Sequence, residues 1–298
     1  MGISNLGELA ALSTAFCWTI SSIVFEMAGK RVGSIVVNYI KLIIAIVFVS
    51  LYSLVSRGYL FPVDATYHNW IWLGLSGLVG ILLGDLFLFQ AYVEVGSRIS
   101  SLVMASSPPL TALFEFILLG ERLDKLSLLG MLINISGIAL VILGKEEGNN
   151  KFKLNHSKRG LLYAFFGSLS QALGLIISKV GMRDYNPIAS TQIRLIAGFI
   201  GFAIIVSLMK KFGDVKSAAK NKSAMKQIAI GALFGPFIGV TLSLVSLKYT
   251  SAGISSTITS ITPVTIIPFS VFILKEKVKA KEIIGAIISV IGVAILFL

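Results

Sequence analysis

Residues 80–143 read GILLGDLFLFQAYVEVGSRISSLVMASSPPLTALFEFILLGERLDKLSLLGMLINISGIALVIL, and residues 235–298 read GPFIGVTLSLVSLKYTSAGISSTITSITPVTIIPFSVFILKEKVKAKEIIGAIISVIGVAILFL. The second stretch repeats the first: Gly80 aligns with Gly235, and Pro108 aligns with Pro263. Farther towards the N-terminus the repeat is weaker, with YIKLI at residues 39–43 matching QIRLI at residues 192–196. The chain therefore contains two copies of one unit of about 150 residues.

The composition is typical of a membrane protein. Of the 298 residues, 55% are hydrophobic and 13% are charged, and the mean hydropathy is +0.89. Soluble domains carry about 25% charged residues. The net charge of +12 does not indicate a nucleic-acid partner, because a basic binding face needs more polar surface than this composition offers.

Ten stretches approach the length needed to cross a bilayer, which is about 20 mostly apolar residues for a helix. The runs are too long and too continuously apolar for barrel strands, so an all-α integral membrane fold is predicted. The predicted spans are residues 9–28, 35–55, 70–92, 99–119, 126–143, 160–181, 188–209, 227–247, 252–274 and 282–298.

The ten spans divide into five per repeat. The first repeat is predicted at residues 1–144 and the second at residues 160–298, joined by a polar linker at residues 145–159. Because five is odd, the second repeat enters the membrane from the opposite side. Two inverted five-helix repeats are an architecture of secondary transporters, which bind their solutes near the midplane between the repeats.

Most of the 26 lysines and arginines fall in loops on one side of the predicted bundle. Cation-rich loops usually stay in the cytoplasm. The sequence therefore predicts a multi-pass protein of the cell inner (plasma) membrane with these loops cytoplasmic and both termini outside.

An ordered set of motifs in each half resembles the EamA repeat of the drug/metabolite transporter superfamily. The first set is Gln90-Ala91-Tyr92, Ser100-Ser101, Ser107-Pro108, Leu119-Gly120-Glu121-Arg122-Leu123, Gly130 and Gly137, and the second is Leu247-Lys248-Tyr249, Ser255-Ser256, Thr262-Pro263, Leu274-Lys275-Glu276-Lys277-Val278, Gly285 and Gly292. The resemblance implies a ten-span carrier, often an exporter of amino acids or other metabolites. It leaves the substrate open.

Asp85 is an acid far from either end of its predicted span, and its repeat partner is Val240. Ionisable groups inside spans are costly and frequently functional. Asp85 is interpreted as a contact for a substrate amine or as a proton-coupling carboxylate. The structural alternative is an ion pair with Arg98.

Lys41 and Arg194 are repeat equivalents, each about six residues inside its span. Inversion of the repeats predicts that they lie near opposite membrane faces. They are candidates to bind an anionic group, which arginine can hold through two hydrogen bonds. The alternative is that both side chains extend to the nearer interface. Glu26 and Lys179 are also equivalents and would form a gate pair if they face each other.

Pro108 and Pro263 are predicted to kink spans four and nine. A proline inside a helix leaves the carbonyl four residues earlier without its helical partner. Such groups are tolerated in membranes where they line a cavity or meet polar neighbours. The neighbouring hydroxyls include Ser107, Thr259 and Thr262, so both spans are predicted to line a central cavity. A packing kink satisfied by local hydroxyls is the alternative.

Aromatic and amide side chains inside the spans complete the predicted cavity lining. An aromatic and amide lining suits a partly apolar organic solute, although helix packing is the alternative for each residue. These predicted lining residues are Trp18 and its repeat partner Gln171, Tyr39 and its partner Gln192, and Gln90.

The predicted function is secondary transport by alternating access, with export of amino acids or related small metabolites. The alternative is an antiporter of phosphorylated metabolites that uses Lys41 and Arg194. A membrane enzyme is not expected, because His68, His156 and Cys17 are too few for a metal site. A pore is not expected, because the sequence shows no ring of like charges. A structural scaffold is not expected, because it would not need the polar cavity predicted at the two prolines.

The expected partners are a small-molecule solute, the lipid bilayer and protons as the coupling ion. No cofactor, metal or nucleic acid is expected, and the carrier is expected to act as a monomer.

Overall fold

A computed structural model describes residues 6–119, 125–146, 149–154, 156–250, 255 and 258–296. Within them the chain is almost entirely helical. The elements are α1 Leu6–Val32, α2 Ser34–Arg57, α3 Tyr67–Met104, α4 Ser107–Phe114, α5 Lys125–Ile142, β1 Leu143–Glu146, β2 Asn149–Leu154, α6 Lys158–Met182, α7 Pro187–Leu208, α8 Phe212–Lys220, α9 Lys222–Tyr249, α10 Thr262–Ile273 and α11 Ala280–Leu296.

Six of the described helices are long and apolar enough to cross a membrane, namely α1, α2, α3, α6, α7 and α9. Shorter apolar helices lie at Ser107–Leu118, Leu128–Ile142 and Thr262–Ile273. The protein is therefore a multi-pass membrane bundle. The predicted number of ten spans does not appear as ten separate long helices.

The long helix α3 contains two of the predicted spans. Gly96 interrupts it with φ 82° and ψ 161°, a conformation that glycine adopts without steric cost. The helix before Gly96 covers predicted span three, and the part after it begins predicted span four.

Predicted spans four and nine are discontinuous, which corrects the expectation of proline kinks inside continuous helices. Pro108 lies in the first turn of α4, and Pro263 lies in the first turn of α10. Proline is favoured there because the first-turn amides have no helical acceptor. The helical path is interrupted just before each proline, at residues 105–106 and 260–261.

The segment between the repeats, predicted as a polar linker, contains two short strands. Strands β1 and β2 pair antiparallel, with Leu143 opposite Leu154. They occupy most of the predicted linker, and residues 147, 148 and 155 of it lie outside the described part of the chain.

Matching π-helical stretches lie in the two halves of the bundle, at Gly77–Leu83 in α3 and Leu233–Gly239 in α9. The two stretches contain the repeat equivalents Gly80 and Gly235. In α3, small residues allow neighbouring helices to approach closely. A Cβ built on Gly77 would lie 2.4 Å from the carbonyl oxygen of Arg194.

Helices α5 and α11 pack against each other through glycines. A Cβ on Gly137 would lie 2.5 Å from the backbone nitrogen of Ser289, and one on Gly292 would lie 2.2 Å from that of Asn134. The buried Asn134 amide donates hydrogen bonds to the Ser289 carbonyl and hydroxyl oxygens at 3.0 and 2.8 Å. This pair of helices holds one end of each repeat together.

Replacing Gly292 with alanine is expected to destabilise the bundle by about 1–3 kcal/mol, because the added methyl group overlaps the backbone of α5. The matched control is Gly213→Ala, since a Cβ at Gly213 has nothing within 4 Å. Thermal unfolding of the purified protein in detergent measures both. Equal melting temperatures for the two variants would contradict this packing.

Candidate functional site

A central cavity of about 200 Å³ lies between helices of both repeats. Ten of the thirteen residues predicted to line such a cavity border it. They are Trp18, Lys41, Asp85, Ser107, Pro108, Gln171, Arg194, Thr259, Thr262 and Pro263.

Tyr39 does not border the cavity. Its ring stacks on Phe199 with the centroids 5.4 Å apart and meets the edge of Phe212 at 6.1 Å. This aromatic cluster joins α2 to α7 and to the start of α8. The role of Tyr39 in the structure is therefore packing.

The amides of Gln90 and Gln192 also lie outside the cavity. Gln90 accepts a hydrogen bond from the Ser34 hydroxyl at 2.8 Å. The Gln192 amide donates to the Ser50 hydroxyl and to the Leu60 carbonyl, each at 2.7 Å. Both amides form hydrogen bonds with polar atoms of other segments. Sequence periodicity could not show which way these side chains point, because polar and apolar residues surround each position.

An ion pair between Lys41 and Asp85 lies in the cavity wall. The Lys41 Nζ is 2.7 Å from an Asp85 carboxylate oxygen, and both residues are buried. The ammonium group also lies 3.7 Å from the centre of the Phe89 ring and 5.3 Å from that of Phe25. Lys41 is therefore held by one carboxylate and two ring faces.

Arg194 borders the same cavity as Lys41, which corrects the prediction that the two cations lie near opposite membrane faces. One guanidinium nitrogen approaches the position that a Cβ on Gly80 would take, at 3.3 Å. The residue is 8% exposed, and its buried Nε has no hydrogen-bond partner. The absence of a side chain at Gly80 leaves room for this guanidinium.

Arg98 is not the partner of Asp85. Its Nε donates to Glu276 at 2.8 Å, and its Nη1 pairs with Glu282. These contacts join the start of predicted span four to the α10–α11 connection and to the first turn of α11. The structural alternative stated for Asp85 is therefore wrong in its partner, since Asp85 pairs with Lys41.

Glu26 and Lys179 do not face each other, so the condition for a gate pair is not met. The buried Glu26 carboxylate accepts a 2.6 Å hydrogen bond from the backbone amide of Ser97 and pairs with Lys30. Lys179 pairs with Glu115 at 3.2 Å. The two groups lie at opposite ends of the bundle, because α1 ends where α6 begins.

The interactions of Glu26 and Arg98 form a latch at one end of the cavity. We call this end the linker end, because the β1–β2 segment follows α5 there, and we define the linker-end latch as Glu26, Ser97, Arg98, Glu276 and Glu282. Gly96, which precedes Ser97, has a φ of 82°, a conformation that glycine adopts without steric cost. A Cβ on Gly96 would lie 3.4 Å from a Glu276 oxygen and 3.5 Å from a Glu26 oxygen.

Two hydroxyl groups close the cavity wall beneath the latch. Ser22 and Tyr92 form a buried hydrogen bond of 2.9 Å between α1 and α3.

Beside the latch, burial lowers the pKa of His156 below its usual value, because the imidazolium form is the costly one to desolvate. Sequence reasoning missed the latch, since its partners are up to 184 residues apart.

At the two interruptions, side-chain hydroxyl and amide groups donate hydrogen bonds to carbonyls near the helix breaks. The Thr262 hydroxyl donates to the Thr259 carbonyl at 2.8 Å, and Ser106 donates to the Val103 carbonyl at 2.7 Å. The Asn134 amide of α5 donates to the Ala105 carbonyl at 3.1 Å. These hydrogen bonds satisfy backbone carbonyls at both interruptions.

Within the described ranges, His, Cys, Asp and Glu side chains form no group of three that could hold a metal ion. The cavity offers hydroxyls, an amide, an indole, one ion pair and one guanidinium. Such a set binds and orients a small organic solute by hydrogen bonds and charge.

Comparison with known proteins identifies the family of the chain. The model of the EamA-like transporter family matches residues 5–143 and again residues 158–298. An uncharacterized transporter of Synechocystis is 23% identical over 96% of this chain and 88% of its own length. The uncharacterized transporter YetK of Bacillus subtilis is 23% identical over 97% of this chain and 86% of its own length.

Two further likenesses extend the comparison. A WAT1-related chloroplastic protein of Arabidopsis thaliana is 22% identical over 83% of this chain and 61% of its own length. A solved crystal structure, 16% identical, superposes with a TM-score of 0.65 over 97% of this chain and 95% of its own. The chain belongs to the EamA-like transporter family. It is a membrane transporter, as the names of the family and of the two bacterial relatives state.

Replacing Lys41 with methionine is expected to cost about 3–5 kcal/mol of stability, because the buried Asp85 carboxylate loses its ion-pair partner. The double variant K41M/D85N is expected to recover most of that loss, since it leaves no unpaired carboxylate. Thermal or denaturant unfolding of the wild type, both single variants and the double variant forms a double-mutant cycle. Additive losses would show that the two residues do not stabilise each other.

Proposed function

We propose that this transporter is a secondary carrier with ten spans arranged as two inverted five-helix repeats, at residues 1–144 and 160–298, joined by residues 145–159. Three pairs of features support it. The π-helical stretches, the interruptions before Pro108 and Pro263, and the glycine-packed helices α5 and α11 each occur at equivalent positions of the two halves. Inversion follows from the odd number of spans in each unit.

The solute site proposed is the central cavity, and the observation that carries it is the buried charged group of Lys41, Asp85 and Arg194. Charged groups inside a membrane bundle are costly and mark solute or ion pathways. The ring of polar residues at the two interruptions supports the same site, because irregular backbone is tolerated at membrane depth where it lines a cavity.

Transport is proposed to proceed by alternating access, with the linker-end latch as one gate. The latch connects α1, α3 and α11 at the linker end. Its opening would give the cavity access to the linker end, while closure of helices at the opposite end would exclude the other compartment.

The proposed transport is export across the plasma membrane, and the proposed solutes are amino acids or related small metabolites. The carrier is proposed to act as a monomer, with protons as the coupling ion. The cation-rich loops cluster at the linker end, so this end is proposed to be cytoplasmic and both termini outside. The phosphorylated-metabolite antiporter is less well supported, because its site needs both cations free and Lys41 is paired with Asp85.

Alternating access is tested by paired cysteine labelling in a Cys17→Ala background. Ser101 lies on the linker-end side of the cavity wall, and Ser243 lies towards the opposite end. Substitution of Arg98 by glutamine breaks two contacts of the latch. Labelling of S101C by a membrane-impermeant maleimide from the linker end is expected to rise roughly fivefold or more, since one or two kcal/mol shifts an equilibrium by that much.

Labelling of S243C from the opposite end should fall in the same variant, because the two states exchange. The matched control is Arg159→Gln, which removes the same charge from an exposed pair with Glu94 at 3.7 Å and should change neither rate. Sealed vesicles of both orientations address the two faces separately. A rise at both positions, or at neither, would refute a two-state carrier.

A further inference from the structure

Arg194 carries a buried positive charge that the protein does not neutralise by direct contact. It is 8% exposed, its buried Nε has no hydrogen-bond partner, and Asp85 attracts it electrostatically without an ion-pair contact among the described residues. Asp85, the nearest acid of the cavity wall, directs a carboxylate oxygen at Lys41 instead. Burying an unpaired charge is costly, so the site as it stands is incomplete.

The charged residues that border the cavity are Lys41, Asp85 and Arg194. Lys41 and Asp85 neutralise each other, which leaves one positive charge on the wall. A guanidinium with free N–H groups is the protein's best donor for a carboxylate, because its planar fork matches the two oxygens.

We propose that the cavity selects small organic monocarboxylates, with Arg194 binding the carboxylate group. This inference rests on the proposed carrier function, and among the solutes proposed there it favours related small metabolites with one carboxylate over the amino acids themselves. The rest of the solute would lie against Trp18, Phe25 and Phe89, which supply an apolar wall on the same cavity. The cavity volume of about 200 Å³ lies below the roughly 300–1,000 Å³ of pockets for drug-sized ligands.

The charge balance separates this class from two near alternatives. A phosphate monoester carries a charge of about −1.5 to −2 at neutral pH, so it would leave excess negative charge opposite a single free cation. A zwitterionic amino acid brings an ammonium group as well, and the carboxylate that would receive it is held by Lys41 at 2.7 Å. A monoanion neutralises Arg194 and leaves the ion pair intact.

The test is calorimetric titration of the purified full chain with four probes. Three share one carbon frame: 2-hydroxy-4-methylpentanoate is the monoanion, leucine is the zwitterion, and 2-hydroxy-4-methylpentanamide is neutral. Glycerol 3-phosphate represents the phosphates. The hydroxy acid is expected to bind most tightly, with the amide weaker by roughly 30-fold or more, as expected for loss of a buried charge pair.

Substitution of Arg194 is expected to remove that difference. R194Q should bind the acid and the amide alike, and R194K should weaken binding of the acid while leaving the amide unchanged, because lysine keeps the charge and loses the fork. R159Q is the matched charge control and should behave as the wild type. If R194Q fails to fold, the acid-to-amide ratio of R194K decides the same question.

Four results would overturn the proposal: an amide that binds as well as the acid, undiminished acid binding by the Arg194 variants, tighter binding of leucine or glycerol 3-phosphate, or no binding of any probe. The carrier function is judged separately by the reciprocal labelling of S101C and S243C. Reciprocal labelling without carboxylate binding leaves the carrier and removes this solute class. Carboxylate binding without reciprocal labelling leaves the site and removes the carrier.

Discussion

The Lys41–Asp85 ion pair determines how the centre of this bundle is built. Both groups are buried, with 2% of Lys41 and 8% of Asp85 exposed. Removing charges from water costs several kcal/mol for each ion, and only close pairing offsets that cost. The pair therefore joins α2 to α3 through a contact of 2.7 Å between Lys41 Nζ and an Asp85 oxygen. The Phe25 ring of α1 and the Phe89 ring of α3 also face the ammonium group. Arg194 borders the same cavity, but unlike Lys41 it has no ion-pair partner among the described residues.

The second constraint is the backbone of the interrupted helices. Lipid offers no hydrogen bonds, so carbonyls released at the breaks before Pro108 and Pro263 need partners within the protein. Thr262 and Ser106 supply hydroxyls from the same segments, and Asn134 supplies an amide from α5. Asn134 also bonds Ser289 of α11, so the glycine-packed pair at the edge of the bundle supports the cavity wall indirectly.

The latch at the linker end depends on a single glycine conformation. Gly96 has a positive φ, which lets the chain turn from predicted span three into span four. The adjacent amide of Ser97 and the side chain of Arg98 then meet carboxylates from opposite halves of the chain. Long-range charge pairs thus join both halves of the chain at the linker end of the bundle.

Much of the cavity was predictable because the signals are local. A charge inside an apolar run, such as Asp85 or Arg194, and a proline beside hydroxyls, such as Pro108, must be placed where polar groups are tolerated, whatever the neighbours are. Tyr39, Gln90 and Gln192 gave the same signal and lie elsewhere. Each found a partner on another helix, and the spacing along one helix contains no information about that partner.

The sequence by itself determined the membrane class, the repeated unit and the candidate charged residues, because hydropathy, repetition and composition are properties of the chain alone. Tertiary structure alone decided which charges pair, that Arg194 stays unpaired beside Asp85, and that Glu26, Arg98, Glu276 and Glu282 meet at one end. These outcomes depend on which helix faces meet, and many residues of intervening chain separate the partners. Close backbone contacts at glycines such as Gly77 and Gly292 determine which helix faces meet. These contacts form between helices, so they belong to the tertiary structure.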